Sequence, residues 1–379
     1  MIDYLKISTT DFDHESLLRH PLLNFSGWTE METSELKPNK YGNKKYVSYL
    51  HNLKIVVYEN VTGKFTLCIL GSIHKFHNNG VHNHNDFCYN DLKITIDRLS
   101  EILLFNPKTC KISNIEIGVN IPSKVSSTKV LKGLLMHKGK RFKSYSFDNA
   151  NYHQVIHENY YIKVYDKAKQ YRAKGHILDN DIIRIELKYK RMSDLIVLLN
   201  SQGIINRNHI VLDDLKNIEV LKAFGILLIK KWNEILFYDY TISKKDLSKP
   251  QRRKLDVWQN INQWESFSKQ KKSKQKKLLD DVIKQHSKQI QLQVSNLIQE
   301  KLETLLPKGL PINHFNKPQK NDQLTTSITD GMEEERLPIN SIYKEVNGNS
   351  FEDCFSAENP EKIRSNYEAW INDPREILF

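Results

Sequence analysis

Across its first two-thirds this chain alternates short runs of β-branched and aromatic residues with stretches of helical periodicity, and that alternation limits the folds open to it. The runs Tyr4 to Ser8, Leu53 to Tyr58, Lys64 to Leu70, Ile112 to Ile121, Tyr160 to Tyr165 and Ile182 to Tyr189 predict strands. Between them, Asp91 to Leu104 places Leu92, Ile96, Leu99 and Leu103 on one helical face, with Asn90 as the expected N-cap. Met192 to Leu199 and Asn217 to Ile235 predict two more helices. Strands that alternate irregularly with helices predict an α+β fold with an antiparallel or mixed sheet.

Farther along, Leu278 to Leu306 predicts one long helix whose greasy face carries Leu279, Val282, Ile283, Ile290, Val294, Leu297, Ile298, Leu302 and Leu305. A lysine-rich stretch, Lys269 to Lys277, precedes it, and an aromatic pair, Trp258 and Trp264, precedes that. If the helix runs back through the lysines, Lys271, Lys272, Lys274, Lys276 and Lys277 spread over several faces. Such a spread suits phosphate contact better than base readout.

Charge divides the chain in the same way. The net charge of +12 is distributed as +9 over residues 1–240, +8 over residues 241–305 and −5 over residues 306–379. A basic protein gains by displacing counterions from a polyanion, so nucleic acid or an anionic surface is the expected partner. We therefore expect an α+β domain over 1–240, a basic helical region over 241–306 that includes Arg252 and Arg253, and a flexible linker with an acidic tail over 307–379. The linker stretch 307–349 mixes Pro, Asn, Gly, Thr and Gln with little periodicity. The tail, with Trp370 to Pro374 near its end, is expected either to recruit a partner protein or simply to keep the chain solvated.

Some classes are excluded. The longest apolar run, around Phe224 to Ile229, is too short to span a bilayer, and the opening Met1-Ile2-Asp3-Tyr4 lacks the basic and apolar regions of a secretory signal. Cys68, Cys88, Cys110 and Cys354 are scattered and form no CxxC pair. A cytoplasmic protein with reduced thiols, away from membranes, is expected.

The strands themselves carry the candidate chemistry. In Asn114 to Asn120 and in Arg184 to Lys188, Glu116 and Glu186 alternate with isoleucine and leucine, so both project from the face opposite those apolar neighbours. Two carboxylates on adjacent strands can hold one divalent cation, Mg²⁺ or Mn²⁺. In Tyr160 to Lys167, Tyr161 and Tyr165 share a face, with Lys163 and Lys167 close enough to contact a phosphate or lower a phenol pKa. A phenol ionises near pH 10, so its attack on phosphorus at neutral pH needs a cation or base beside it. Glutamate on a half-buried strand is more often solvated surface, and tyrosine in a strand is usually packing, so pattern alone identifies no enzyme.

A histidine cluster, His74, His77, His82, His84 and Cys88, is the other candidate for metal. His82 and His84 would face one side of a strand and share an ion, although Asn83 between them and the preceding Asn78-Asn79-Gly80 favour a turn.

In order, Gly71-Ser72-Ile73-His74-Lys75-Phe76, then Ile115 to Asn120, Val164-Tyr165-Asp166-Lys167, and Arg184-Ile185-Glu186-Leu187-Lys188 resemble the motifs of the phage and plasmid rolling-circle replication proteins. These are the proteins related to the replication endonuclease of filamentous phages and, more distantly, to plasmid initiators of the transfer-origin type. Arg252-Arg253-Lys254-Leu255, Trp264 and Lys271 to Lys277 are similar to the family's basic and aromatic C-terminal block, so the resemblance spans about residues 50 to 280. It implies Tyr165 as nucleophile, with Tyr160 and Tyr161 as competitors for that role, and Glu116 and Glu186 as metal ligands. It departs from relatives with a His-hydrophobic-His motif, because Asn83 stands in the middle. The implied activity is a metal-dependent DNA-nicking and joining endonuclease acting on single-stranded or melted origin DNA, with host replication proteins as the partners the acidic tail would recruit. The competing reading is a sequence-specific DNA-binding protein without nuclease activity; an RNA-binding protein ranks last for want of a ribonucleoprotein-type aromatic motif.

Overall fold

The computed structural model describes residues 1–26, 44–122, 125–147, 150–178 and 180–307. The expected acidic tail and Cys354 lie outside the described residues.

The strands in chain order are β1 (Ile2–Thr9), β2 (Lys44–Leu50), β3 (Leu53–Glu59), β4 (Phe65–Ser72), β5 (Lys111–Pro122) and β6 (Leu134–His137). Then follow β7 (Lys140–Arg141), β8 (Lys143–Phe147), β9 (Ala150–Ile156), β10 (Tyr160–Asp166), β11 (Ile182–Tyr189) and β12 (Ile235–Phe237). Nine of them form one sheet in the order β2-β3-β4-β1-β5-β11-β10-β9-β8, and every pairing in it is antiparallel. A smaller sheet joins β12, β6 and β7. The fold is therefore α+β with an antiparallel sheet. All the strands expected from the sequence are present, each within two residues of its expected limits.

The helices are α1 (His14–Leu18), α2 (Ile73–His77), α3 (Tyr89–Ile102), α4 (Ser127–Gly133), α5 (Lys167–Arg172) and α6 (Ser193–Ser201). After them come α7 (Ile218–Asn233), α8 (Lys249–Gln259), α9 (Ile261–Ser266), α10 (Lys269–His286) and α11 (Ile290–Leu305). Ile115, Ile117, Val119 and Ile121 of β5 and Ile183, Ile185 and Leu187 of β11 join one core with Leu92, Ile96 and Leu99 of α3, Phe224 and Leu228 of α7, and Val294, Ile298 and Leu302 of α11. Each such side chain contributes about 1.5–3 kcal/mol by leaving water. One face of the sheet is thus closed by helices, and strand alternation sends the even-numbered residues of β5 and β11 to the other face.

Two local expectations are corrected. Asn90 is not the cap of α3: the helix begins two residues earlier, with Cys88 at the cap position, and Asp91 accepts the Cys88 backbone N–H at 2.8 Å. The long helix expected over 278–306 is two helices. The chain turns at Ser287-Lys288-Gln289, where Gln289 takes a left-handed φ of 52°, and buried Asp239 accepts from the Ile290 N–H at 2.8 Å and the Ser287 hydroxyl at 3.0 Å. The physical reason is that the apolar stripe serves two cores. Leu279 and Val282 pack with Trp258, Trp264 and Leu135, whereas Ile290 to Leu305 return to the main sheet. Gly225 permits that return, since a Cβ there would meet Leu302 at 3.1 Å. Consequently, of the stretch 241–306, α8 to α10 build the second core and α11 belongs to the first.

Candidate active site

The polar face of the sheet converges on Arg184. It lies on β11 at 2% exposure, opposite Tyr165 of β10 and Asn120 of β5 in the strand register. Its guanidinium donates to Glu186 and Asp3, reaches Asn120 Oδ1 at 2.8 Å and stands 3.6 Å from Glu116 Oε1. Arg184 and Glu186 share a face because two residues separate them on a strand. Gly118 is what lets Glu186 lie flat over β5: a Cβ at that position would sit 2.8 Å from the Ile185 carbonyl oxygen and 3.1 Å from Glu186 Cγ.

Asp3, Glu116 and Glu186 bring one carboxylate oxygen each within 4.8 Å of the others, the only group of three or more potential metal ligands among the described residues. The charges do not balance evenly. Burial alone would raise the pKa of all three carboxylates. For Asp3 and Glu186 the attraction of Arg184 overcomes it, helped by His74 and Lys167 at Asp3 and by Lys163 and Lys167 at Glu186, and both stay ionised well below the usual range. Glu116, buried next to Glu186 and Asp3, is pushed up to about 8. Near neutral pH Glu116 therefore keeps its proton, which a bound cation would displace. Three hard oxygen donors with atoms within 4.8 Å of one another fit a divalent cation of the Mg²⁺ or Mn²⁺ type, which Asp3, Glu116 and Glu186 would hold.

Tyr165 adjoins this group. Its hydroxyl donates to Glu186 Oε1 at 2.8 Å and accepts from Lys167 Nζ at 3.3 Å. Burial, and then the Glu186 charge, raise the phenol pKa well above 10, whereas burial, and then Arg184, push the Lys167 ammonium well below its usual value. The uncharged phenol thus faces a lysine that burial drives toward its neutral amine. Lys163 lies 3.9 Å from Glu186 Oε2 and over the Tyr165 ring at 4.8 Å.

Of the competing tyrosines, Tyr160 turns to the core, where Lys231 donates to its hydroxyl at 3.1 Å. Tyr161 shares the face of Tyr165, is half-buried, and has Lys190 over its ring at 4.9 Å.

The histidine segment contributes in a way the spacing did not suggest. Asn83 is the residue that enters the pocket: its amide donates to Asp3 Oδ2 at 2.7 Å and its carbonyl oxygen accepts from Lys167 at 2.7 Å and from the Tyr171 hydroxyl at 2.8 Å. His82 and His84 lie beside each other, ring centroids 4.2 Å apart, with His176 5.8 Å from His84, and neither belongs to the acidic group. Burial, His82 and His176 push His84 down to about 4. His74, stacked on Phe87, hydrogen-bonds Asn85 at 2.8 Å.

Asp3, Arg184, Asn83 and Asn120 were missed as site residues. Arg184 was legible, two positions before Glu186 on the same face. Asp3 and Asn83 carried no such signal, because distant segments bring them in.

The basic residues of α8 and α10 are carried by helices that pack in the second core. Arg253, Lys271, Lys274 and Lys277 are exposed, Lys272 and Lys276 half-buried. The Arg252 guanidinium donates to the carbonyls of Leu247 at 2.9 Å and Lys245 at 3.1 Å, which holds the start of α8, and Lys271 lies over the Phe267 ring at 4.3 Å. No helix among the described residues is long and apolar enough to cross a membrane.

No protein-family model and no curated protein sequence matches this chain. A solved structure, described as that of a rolling-circle replication initiator protein from Geobacillus stearothermophilus, is similar over 67% of this chain and 90% of its own, at 13% identity and a TM-score of 0.32. A likeness that weak transfers neither fold nor function, so the chemistry has to be read from the pocket itself.

Proposed function

We propose that this protein is a replication initiator that nicks one strand of origin DNA through Tyr165 and later rejoins it. The observation that carries this reading is the Tyr165 phenol held at 2.8 Å by Glu186, itself one of three carboxylates gathered around a single point. In the forward step the phenol oxygen attacks the scissile phosphorus, the P–O bond to the 3′-oxygen breaks, and a 3′-hydroxyl leaves. Phosphate remains ester-linked to Tyr165. A later 3′-hydroxyl attacks that ester and restores the strand without an external energy source, because one phosphodiester has replaced another.

The roles follow from the electrostatics. Glu186, held ionised, is a poor proton acceptor and orients the phenol; Lys167, pushed toward its neutral amine 3.3 Å from the phenol oxygen, is the better base once the hydroxyl turns its hydrogen from Glu186 to that nitrogen. Lys163 stands where a phosphate would approach the tyrosine. A divalent cation on Asp3, Glu116 and Glu186 would supply charge stabilisation to the phosphate oxygens. Arg253, Lys271, Lys272, Lys274, Lys276 and Lys277 of the second core contact phosphates farther along the DNA, and Arg252 supports them by fixing α8.

One observation favours the alternative of a DNA-binding protein without chemistry: Tyr165 is only 5% exposed, and its hydroxyl is satisfied by two neighbours, as in a structural network. The two are separated by incubating the protein and its Tyr165→Phe variant with labelled single-stranded oligonucleotides tiling the DNA that flanks its own gene, with and without Mn²⁺, followed by denaturing electrophoresis. A metal-dependent covalent adduct lost in the variant is expected. Retarded but uncut DNA under every condition would establish the binding protein instead, and an adduct that survives would move the nucleophile to Tyr161.

A further inference from the structure

The strand register sets three tyrosines in a row. Tyr145 of β8 pairs with Tyr152 of β9, Tyr152 with Tyr165 of β10, and Tyr165 with Arg184. The row begins at the edge strand of the sheet and ends at the proposed nucleophile. Tyr145 and Tyr152 stack with centroids 5.0 Å apart and planes 13° from parallel, and both are half-buried rather than packed into the core. The neighbouring row on the same face is polar: Lys143 pairs with Gln154, Gln154 with Lys163, and Lys163 with Glu186. Lys163 joins the two rows, its ammonium 4.9 Å from the Tyr152 centroid and 4.8 Å from that of Tyr165.

An aromatic row beside a polar row that carries two lysines, Lys143 and Lys163, has the chemistry of a single nucleic-acid strand laid flat, with π faces for the bases and cations for the phosphates. A duplex cannot use it, since its bases already stack on one another. We infer that Tyr145 and Tyr152 form a base-stacking track that leads a single DNA strand from the sheet edge to Tyr165, with Lys143 and Lys163 on its phosphates. This rests on the reading of the pocket as a DNA site, but not on cleavage. Tyr145 and Tyr152 are positioning residues, and touch no reacting atom.

The test measures binding without chemistry. Fluorescence anisotropy of a short single-stranded oligonucleotide and of its duplex, in EDTA, compares the wild-type protein with Tyr145→Leu, Tyr152→Leu and Tyr152→Phe. Stacking of one base is worth about 1–3 kcal/mol, so each leucine variant should bind the single strand about 5- to 150-fold more weakly, with duplex affinity unchanged and Tyr152→Phe near wild type. Unchanged single-strand affinity, or an equal loss for duplex, overturns the track. Photocrosslinking of a 5-iodouracil oligonucleotide to the wild-type protein needs no variant to fold: adducts on Tyr145 or Tyr152 are expected, and adducts confined to other residues overturn it. Loss of the Tyr165 adduct assay leaves these readouts untouched, so failure of nicking and failure of the track are separate results.

Discussion

Tyr165 donates its hydroxyl hydrogen to Glu186 Oε1 at 2.8 Å, across two antiparallel strands whose register sets Tyr165 opposite Arg184 and Glu186 opposite Lys163. The phenol, the carboxylate and the guanidinium are consequently fixed by the same ladder. Any change in that register moves all three together.

Replacing Tyr165 with phenylalanine removes one hydrogen bond from Glu186 and leaves its contact with Arg184. It also removes the one that Lys167 donates to the phenol, so we predict loss of the covalent DNA adduct with a stability cost of about 1–3 kcal/mol, the range for buried hydrogen bonds to charged groups. Denaturing electrophoresis reads the first, and urea unfolding the second. A much larger loss of stability would mark the tyrosine as structural.

Glu116 makes stability depend on pH in a direction opposite to an ordinary paired carboxylate. Its folded pKa of about 8 lies above the unfolded value of 4.5, so between those values the folded state binds more protons than the unfolded one. The sign is then negative: the contribution is full below pH 4.5 and is lost as pH rises to about 8. Melting temperature without divalent cation should fall over that window for the wild-type protein and fall less for Glu116→Gln. Adding Mn²⁺ should restore stability at pH 8 and release a proton on binding below it, which calorimetry in buffers of different ionisation enthalpy detects. No difference between wild type and Glu116→Gln would refute the assignment.

Gly118 is predicted to tolerate no side chain. A Cβ at 2.8 Å from the Ile185 carbonyl oxygen forces β5 and β11 apart under the acidic group. Gly118→Ala should cost about 1–3 kcal/mol in stability, the range for overpacking, and reduce adduct formation and divalent-cation affinity. Guanidinium unfolding and cation titration check it.

The lysines of α10 should act without sequence preference. Changing Lys271, Lys274 and Lys277 together to glutamine should weaken binding to origin and unrelated oligonucleotides alike. The slope of log affinity against log salt should shrink by about 0.7–0.9 per phosphate contact removed. Salt titrations on two unrelated sequences decide it; selective loss on the origin alone would assign these lysines to base readout.

Period-two alternation was enough to put Glu116, Glu186, Tyr161, Tyr165 and Arg184 on one face, and the β-branched and aromatic runs were enough for the strands that carry them, because side-chain direction in a strand depends only on local backbone geometry. The sequence by itself therefore determined the class of fold and which residues could meet. Tertiary structure alone decided which ones do. Asp3 reaches Glu186 only because β1 and β11 flank β5 in the sheet, and Asn83 enters the pocket only because its loop packs against β1, β5 and α5, neither of which leaves a periodic trace. The broken helix at Ser287 to Gln289 has the same origin: a continuous apolar stripe cannot say that it will serve two cores, and it was buried Asp239, nearly fifty residues upstream, that capped the second half and turned it back to the sheet.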